Sequence, residues 1–572
     1  MKKTSPPLSH HFVRGGQLNI HNLRMIKQVV GFSFLLSSVV MGLTLGVLSF
    51  KTVPSYVWHQ YITSYKAEFL MLTKHKSKQH RFTVNWPEHR ITRPVRAIDI
   101  LNHPYTHDMR RHVNHTILSK LKTSLVVGLC SLLAILTFWF FKGRKSHNHK
   151  SLRGQTIVSP KRLKQLIRRA RQASSYKIED VPLIKDSETK HILSVGTTGA
   201  GKTNWFNELL PQLKQQKVLV VDTTGDMISK YYDESRGDII LNPFDARSAS
   251  WDMVSECVHD YEFDDLSKAI IPSASHYQDP LWKNGAAKLL SVAMRKAKEE
   301  QLSLRELFSL ISEAKLSQYG SFFAGTEAYP FADPKGEKTT MSFRSTLSSY
   351  TQFFKAMNAN TKTSISLKEW VQDKDNKSWI LITANENMLE TLKPYIAAMV
   401  NIITTSLMSL SEDPNRRLWF IMDELPALQK IESLHALLSK GRKYGACVVG
   451  GIQSLSQFEE IYGHQGAKTI LNLFNSKFFF RMEESSACDQ ISRWIGEEEI
   501  EESKEGLSYG AHQMRDGVSL NSQKSQRRLV LPTEIAQLKN LQCYVKLPGS
   551  FPVTKLDMAY NKIPAVTKSF VS

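Results

Sequence analysis

Residues Gly196 to Thr203 read G-T-T-G-A-G-K-T, a complete GxxxxGK[ST] loop. The run His191 to Val195 precedes it, and Trp205, Phe206, Leu209 and Leu210 follow at the spacing of one helix face. A strand that turns through glycines into a helix aims successive backbone N–H groups at one point, where the helix N-terminal partial charge also favours an anion. The chemistry that fits is the binding of a nucleoside triphosphate. Gly196, Thr197, Thr198, Gly199, Ala200 and Gly201 form the cradle, Lys202 reaches the β- and γ-oxygens, and Thr203 offers a hydroxyl to Mg²⁺. Gly199 and Gly201 let the backbone approach the phosphates without a Cβ in the way.

A second group lies far downstream at Arg417 to Pro426, R-L-W-F-I-M-D-E-L-P. An apolar strand ending in Asp423 and Glu424 delivers one carboxylate to the Mg²⁺ shell and a second that can polarise the attacking water, so hydrolysis is predicted and not binding alone. A third strand, Ala446 to Ile452, ends at Gln453, whose amide both donates and accepts and is suited to sensing the γ-phosphate or orienting water.

These residues need a scaffold. Strands are predicted at His191 to Val195, Lys217 to Asp222, Ser378 to Thr383, Leu418 to Asp423, Ala446 to Ile452, Lys477 to Arg481 and Gln542 to Leu547. Helical patterns lie between most of them, the α/β rhythm of a largely parallel sheet covered on both faces. Between about Trp251 and Trp370 the patterns are helical, as in Asp279 to Gln301 and Leu302 to Ser317, which predicts an all-helical insertion. The acidic run Glu497 to Glu505 reads as an exposed loop.

The chain has 572 residues and a net charge of +22, enough for several domains and biased toward an acidic partner, nucleic acid or anionic lipid. Two uncharged stretches, Gln28 to Phe50 and Thr123 to Phe141, are each close to the roughly 20 residues that cross a bilayer as helix. Two spans place both flanks on one side, and an ATPase needs the side where ATP is. Lys2, Lys3, Arg14, Arg24 and Lys27 before the first span, with Lys142, Arg144 and Lys145 after the second, fit that topology. The expected organisation begins with a cytosolic N-terminus (1–27), a span (28–50), an external domain (51–122), a span (123–141) and a basic linker (142–190). A nucleotide-binding domain follows in two segments (191–250 and 371–572), interrupted by an all-α domain (251–370). Within the linker, Lys161 to Gln172 is basic and amphipathic, suited to anionic lipid or to a solvated helix. The five cysteines are scattered without a CxxC pair, which predicts reduced thiols and no zinc site.

Two spans, G-T-T-G-A-G-K-T, V-L-V-V-D-T-T-G-D, D-I-I-L-N-P-F-D-A-R-S-A-S-W-D, D-E-L-P, G-R-K-Y-G at 441–445 and G-I-Q-S at 451–454, in this order, resemble the type IV secretion system coupling proteins of the TraD family. The resemblance runs from the first span to L-P-G-S-F-P-V. It implies an α/β P-loop NTPase of RecA-like fold, related to FtsK and HerA, with an all-α insertion and a two-helix transmembrane anchor. It also implies an inner-membrane homo-hexamer that uses ATP and Mg²⁺, links a relaxase and its relaxosome to the secretion channel, and moves single-stranded DNA without sequence readout. Arg442 falls where the family places an arginine that reaches the neighbouring subunit's nucleotide, Gln453 matches the glutamine of its third motif, and Arg481 is a weaker candidate for an arginine role. F-type members carry a long extension with an acidic end that docks the DNA-processing complex; the sequence given ends at Ser572, so that docking mode is not carried over. Lys288, Arg295, Lys335, Lys338 and Arg344 are candidate DNA-backbone contacts. Two other readings use the same ATPase: an ATP-gated docking receptor for secreted proteins, and a septal double-stranded DNA translocase. DNA-stimulated hydrolysis separates the first from a DNA pump, and a topology map tests the second.

Overall fold

The computed structural model describes residues 8–73, 78–85, 90–146, 150–273, 280–357, 364–508 and 517–571. The chain divides into two compact units, 1–149 and 150–572. Lys2, Lys3 and Asp279 lie outside the described residues.

The first unit is built on two long helices, Leu8–Thr52 and Pro104–Ser146. Both contain stretches long and apolar enough to cross a membrane, Leu23–Thr52 and Pro104–Lys142. They touch through small residues: the Ser37 hydroxyl donates to the Gly128 carbonyl at 2.5 Å, and Ser131 donates to Ser37 at 3.1 Å. Close approach through Gly and Ser is how apolar helices associate where burial of apolar surface supplies no drive. The second helix has 43 residues and spans about 65 Å at 1.5 Å per residue, so it runs far beyond the predicted 123–141 span and into the expected external segment. The rest of that segment is a helix, Ser55–Leu72, and a hairpin of Gln79–Asn85 with Arg90–Arg96.

The second unit carries, among the described residues, a ten-stranded sheet. Its strands are β1 (Ile157–Val158), β2 (Ile192–Val195), β3 (Lys217–Asp222), β4 (Ile239–Leu241), β5 (Trp379–Thr383), β6 (Leu418–Met422), β7 (Ala446–Ile452), β8 (Ser476–Phe479), β9 (Gln542–Lys546) and β10 (Val553–Asp557). Their spatial order is β1-β10-β9-β8-β2-β7-β6-β3-β5-β4, and the seven from β8 to β4 are parallel. Buried on both faces, these strands read as continuous apolar runs, which is why the sequence marks them well. The faces alternate residue by residue: Leu193, Leu219 and Val221 join one core with the helical insertion, while Ile192, Val218 and Val220 join another with Trp205, Phe206, Leu163 and Ile167.

Three expectations are corrected. The acidic run at Glu497 is a strand and not a loop: Glu497–Ser508 pairs antiparallel with Gly517–Arg528 and with Lys150–Gly154. Opposite charges across the ladder make this possible, with Arg527 on Glu498 at 2.7 Å, Arg153 on Glu499, and Ile500 buried beneath them. The basic linker stretch forms the helix Pro160–Arg169, started by the Ser159 cap, and its apolar residues Leu163 and Ile167 are fully buried in protein and not turned to lipid. Among its described residues the insertion is helical except at its neck, where Ser250–Trp251 and Ser364–Ile365 form a short parallel pair.

Candidate nucleotide site

β2 delivers the loop to the C-terminal edge of the parallel sheet, and the neighbouring strands hold it there. Gly196 N–H donates to the Ile452 carbonyl at the end of β7 (3.0 Å), and Thr197 N–H donates to the Arg481 carbonyl beyond β8 (2.9 Å). Gly196 is required by crowding, since a Cβ there would come 2.5 Å from the Cβ of Phe480. Gly201 has φ +121°, a conformation that side chains with a Cβ rarely adopt, and it sits against Leu541. The helix Lys202–Leu209 that follows buries Trp205, Phe206 and Leu209 almost completely. Each such side chain contributes about 1.5–3 kcal/mol, so the helix N-terminus that follows the loop is anchored from below.

The predicted residues meet in a closed circuit. Lys202 Nζ donates to Glu424 Oε2 at 3.3 Å; Gln453 N–H donates to Glu424 Oε1 at 3.1 Å; and the Thr198 hydroxyl donates to Gln453 Oε1 at 2.5 Å. Three segments more than 200 residues apart at the extremes are joined by one carboxylate and one amide. Lys202 and Glu424 are buried, and burial pushes the lysine below and the carboxyl above their ordinary values while their ion pair opposes both. Asp423 accepts from the Thr223 N–H and hydroxyl at 3.3 and 3.2 Å. Its carboxyl is held well above the usual range by burial and by the neighbouring Asp222. A divalent cation relieves that stress, so the donor set suits Mg²⁺ shared between Asp423, the exposed Thr203 hydroxyl and phosphate oxygens. Among the described residues no cluster of three or more His, Cys, Asp or Glu makes an all-protein metal site.

Asp222 is a residue that the sequence reading passes over. Buried at 1% exposure, it accepts from the N–H groups of Thr224, Gly225, Met227 and Ile228 and pins the turn that presents Thr223 to Asp423. The signal for it is an Asp closing an apolar strand before T-T-G. Arg481 also stands at the site: its carbonyl accepts from Thr197, and its Nε is buried without a hydrogen-bond partner.

Arg442 stands apart. It lies exposed on the turn Gly441–Tyr444, before β7 begins, whereas Gln453 follows β7's end. Seven strand residues at about 3.3 Å each separate the two by roughly 20 Å, so Arg442 does not reach the phosphate loop of its own subunit. It lines an open cleft of about 1080 Å³ with Lys185, Lys440 and Lys443 and with the acids Asp186 and Glu412.

The candidate DNA contacts divide. Lys335 and Lys338 are exposed. Arg344 is not available: it is buried and donates to the Ile311 and Ala314 carbonyls at 2.7 and 2.6 Å, capping the end of the helix Leu304–Ser312. Lys288 and Arg295 are paired with Asp264, Asp260 and Glu327.

A family model for the type IV secretion-system coupling protein DNA-binding domain matches residues 175–559. Coupling protein TraD of Escherichia coli (strain K12) is 31% identical over 454 residues, covering 77% of this chain and 63% of TraD, so the chain spans just under two thirds of that relative. The solved bacterial conjugative coupling protein TrwB, in an unbound form lacking its N-terminal part, superposes with a TM-score of 0.66 at 31% identity, covering 74% of this chain and 97% of TrwB. TrwB has also been solved with the non-hydrolysable ATP analogue ADPNP and with ADP and Mg²⁺, each at a TM-score of 0.65 and the same 31% identity and coverage. The phosphate loop, the acidic strand end and the helical insertion on one mostly parallel sheet, with these matches, identify the chain as a member of the type IV secretion-system coupling proteins.

Proposed function

We propose that the protein is a membrane-anchored ATPase that works as a homo-hexamer, couples ATP hydrolysis to the movement of single-stranded DNA with its relaxase, and hands that cargo from the relaxosome to a type IV secretion channel in the bacterial inner membrane. The carrying observation is the circuit Thr198–Gln453–Glu424–Lys202, which joins the phosphate loop to a buried carboxylate and to an amide. Nucleotide complexes of TrwB support ATP and Mg²⁺ as the ligands, and the family model's DNA-binding domain supports DNA as the partner. The two apolar helices support the anchor.

Lys202 swings from Glu424 to the β- and γ-phosphate oxygens when ATP enters, which frees the Glu424 carboxylate to accept a proton from the attacking water. Gln453, already bonded to the phosphate loop and to Glu424, orients that water and registers the loss of the γ-phosphate. Asp423 and Thr203 would hold Mg²⁺, which neutralises developing charge on the phosphates. Arg442 of one subunit reaches the nucleotide of the next, so hydrolysis needs the ring. Lys335 and Lys338 contact the DNA backbone.

The test is phosphate release by the full-length protein with single-stranded DNA, duplex DNA or cargo protein added. Stimulation by single-stranded DNA is expected. Stimulation by cargo protein alone would replace the pump with a gated receptor, and stimulation by duplex alone would make it a duplex translocase.

A further inference from the structure

His191 is the residue immediately before β2, and its backbone is unusual. With φ +63° and ψ 151° it adopts a conformation nearly reserved for glycine. The conformation persists because four elements hold the residue. Its N–H donates to Glu188 O at 3.1 Å, and its carbonyl accepts from Ser476 N at the start of β8 at 3.2 Å. The ring, 1% exposed, accepts at Nδ1 from Val448 N–H of β7 at 3.2 Å, and lies 2.9 Å from the Leu438 carbonyl through Nε2. Because Nδ1 accepts from an N–H, the ring proton sits on Nε2 and is donated to Leu438.

Leu438 belongs to the last turn of the helix Leu434–Lys440, where carbonyls lack intrahelical partners. Arg442 lies one helical turn later, on the turn that continues this helix. The imidazole therefore grips the end of the element that carries Arg442 and fastens it to the strand whose other end is the phosphate loop. We infer that His191 is a positioning residue for the trans-acting arginine, and that through β2 it links each subunit's own phosphate loop to the group the subunit offers its neighbour. The inference rests on the reading that Arg442 acts in trans. A buried neutral ring suits the role, since it is rigid, holds two directional bonds and adds no charge beside a guanidinium; burial pushes it down to about 4, against the bond to Leu438, and the Arg442 charge adds to the effect.

The two bonds can be separated. His191→Asn meets the same backbone strain as histidine at φ +63° and ψ 151° and keeps an acceptor near Val448 N–H, but has no donor that reaches Leu438. His191→Gln puts an amide donor near the position of Nε2. The full-length protein is assayed with ATP, Mg²⁺ and single-stranded DNA, alongside nucleotide affinity of each variant. His191→Asn is expected to lose about tenfold to 100-fold in turnover at unchanged nucleotide affinity, the cost of misplacing a remote catalytic group, and His191→Gln to stay within about threefold of wild type.

Mixed rings then locate the defect. Mixing Arg442→Ala with Lys202→Ala is the control for the trans reading, which falls if verified mixed rings stay inactive. Given recovery there, His191→Asn is expected to recover activity when mixed with Lys202→Ala, whose intact arginine serves the intact loop of the Asn subunit, and to recover none with Arg442→Ala. Recovery with Arg442→Ala in place of Lys202→Ala would mean that His191 serves its own loop and would overturn the inference. Recovery with neither, or wild-type turnover by His191→Asn, overturns it as well. If His191→Asn does not assemble, His191→Gln decides: an assembled but inactive Gln variant refutes the role of the Leu438 bond, and an active one upholds it.

Discussion

The two ends of β7 stand in opposite chemical settings. At the C-terminal end, Gln453 closes a circuit of mutually bonded groups in which Glu424 and Lys202 are buried. At the N-terminal end, Arg442 is exposed in an open cleft among Lys440, Lys443 and Lys185. The groups of the first end are bonded to one another within one chain, and Lys202, Glu424 and Asp423 are stressed by burial in a way that a nucleotide and a cation relieve. The second carries Arg442 and three lysines beside the acids Asp186 and Glu412, with Lys443 already paired to Glu412. In the ring we propose, an interface that joins one end to the other end of a neighbouring copy would satisfy both, with the sheet spacing one site from the next.

The largest expected effect lies at the buried end. Lys202→Ala removes the only cation in the circuit and should lower phosphate release by about 10³-fold or more, with helix and sheet content unchanged because Trp205, Phe206 and Leu209 still anchor the helix. DNA transfer at wild-type frequency by this variant would refute the assignment. Glu424→Gln should bind ATP and stall, with turnover down about 10²- to 10⁴-fold, since the amide keeps the bond to Gln453 but is no base. The pH dependence has a definite sign. Burial raises the Glu424 carboxyl, the base is active when ionised, and the rate therefore falls as pH drops through a value above the ordinary carboxylate range. Lys202 opposes that rise, so with nucleotide absent a Lys202→Met variant should titrate Glu424 at still higher pH, observable by carboxyl NMR on the labelled protein.

Much of this end is legible in the sequence because each motif residue closes a buried parallel strand, and such strands are continuous apolar runs ending in polar turns. Lys217–Asp222 and Ala446–Ile452 fall on their predicted limits for that reason. What escapes is set by pairing between distant segments. Glu497–Ser508 looks solvated until Arg527 and Arg153 lie across from its carboxylates. Arg344 looks like a DNA contact until its guanidinium is found on the Ile311 and Ala314 carbonyls, which no periodicity encodes. Ile239–Leu241 is a three-residue edge strand, too short to show a period. His191 resembles the polar start of a strand, and its role depends on Leu438 and Val448, both about 250 residues downstream.

At the open end, Arg442→Ala should lower turnover in the ring by about 10²- to 10⁴-fold while leaving nucleotide affinity unchanged, because the residue is roughly 20 Å from its own phosphate loop. Arg442→Lys should recover little of that, since an ammonium lacks the planar fork. Weaker ATP binding by isolated Arg442→Ala subunits would break the contrast between the two ends. A smaller effect concerns the tie between them. His191 has a folded-state value of about 4 against about 6.5 when unfolded, so neutral burial contributes stability that is fully present above pH 6.5 and is lost as pH falls toward 4. The amount is on the order of 3 kcal/mol, and His191→Gln should flatten the urea midpoint against pH in that window. An unchanged profile would mean that the ring is charged or solvated in the native state.

The smallest effect tests whether the open end works through one residue or through general positive charge. Lys443 adjoins Arg442 in the cleft and forms an ion pair with Glu412 at 3.2 Å, with both side chains more than half exposed, at 69% and 59%. An exposed pair of this kind contributes about 0–1 kcal/mol, because water screens the attraction and both long side chains lose rotamer freedom. Lys443→Ala should therefore leave thermal stability unchanged and lower turnover by less than about threefold. If the cleft attracted the neighbour's phosphates by charge density alone, removing one of its cations would weaken assembly and turnover in proportion, and added salt would reproduce the effect in the wild-type protein. A large loss in Lys443→Ala comparable to that of Arg442→Ala would show that Arg442 has no special geometry. A small loss, beside the large one at the adjacent position, would mark Arg442 as the single group aimed across the interface.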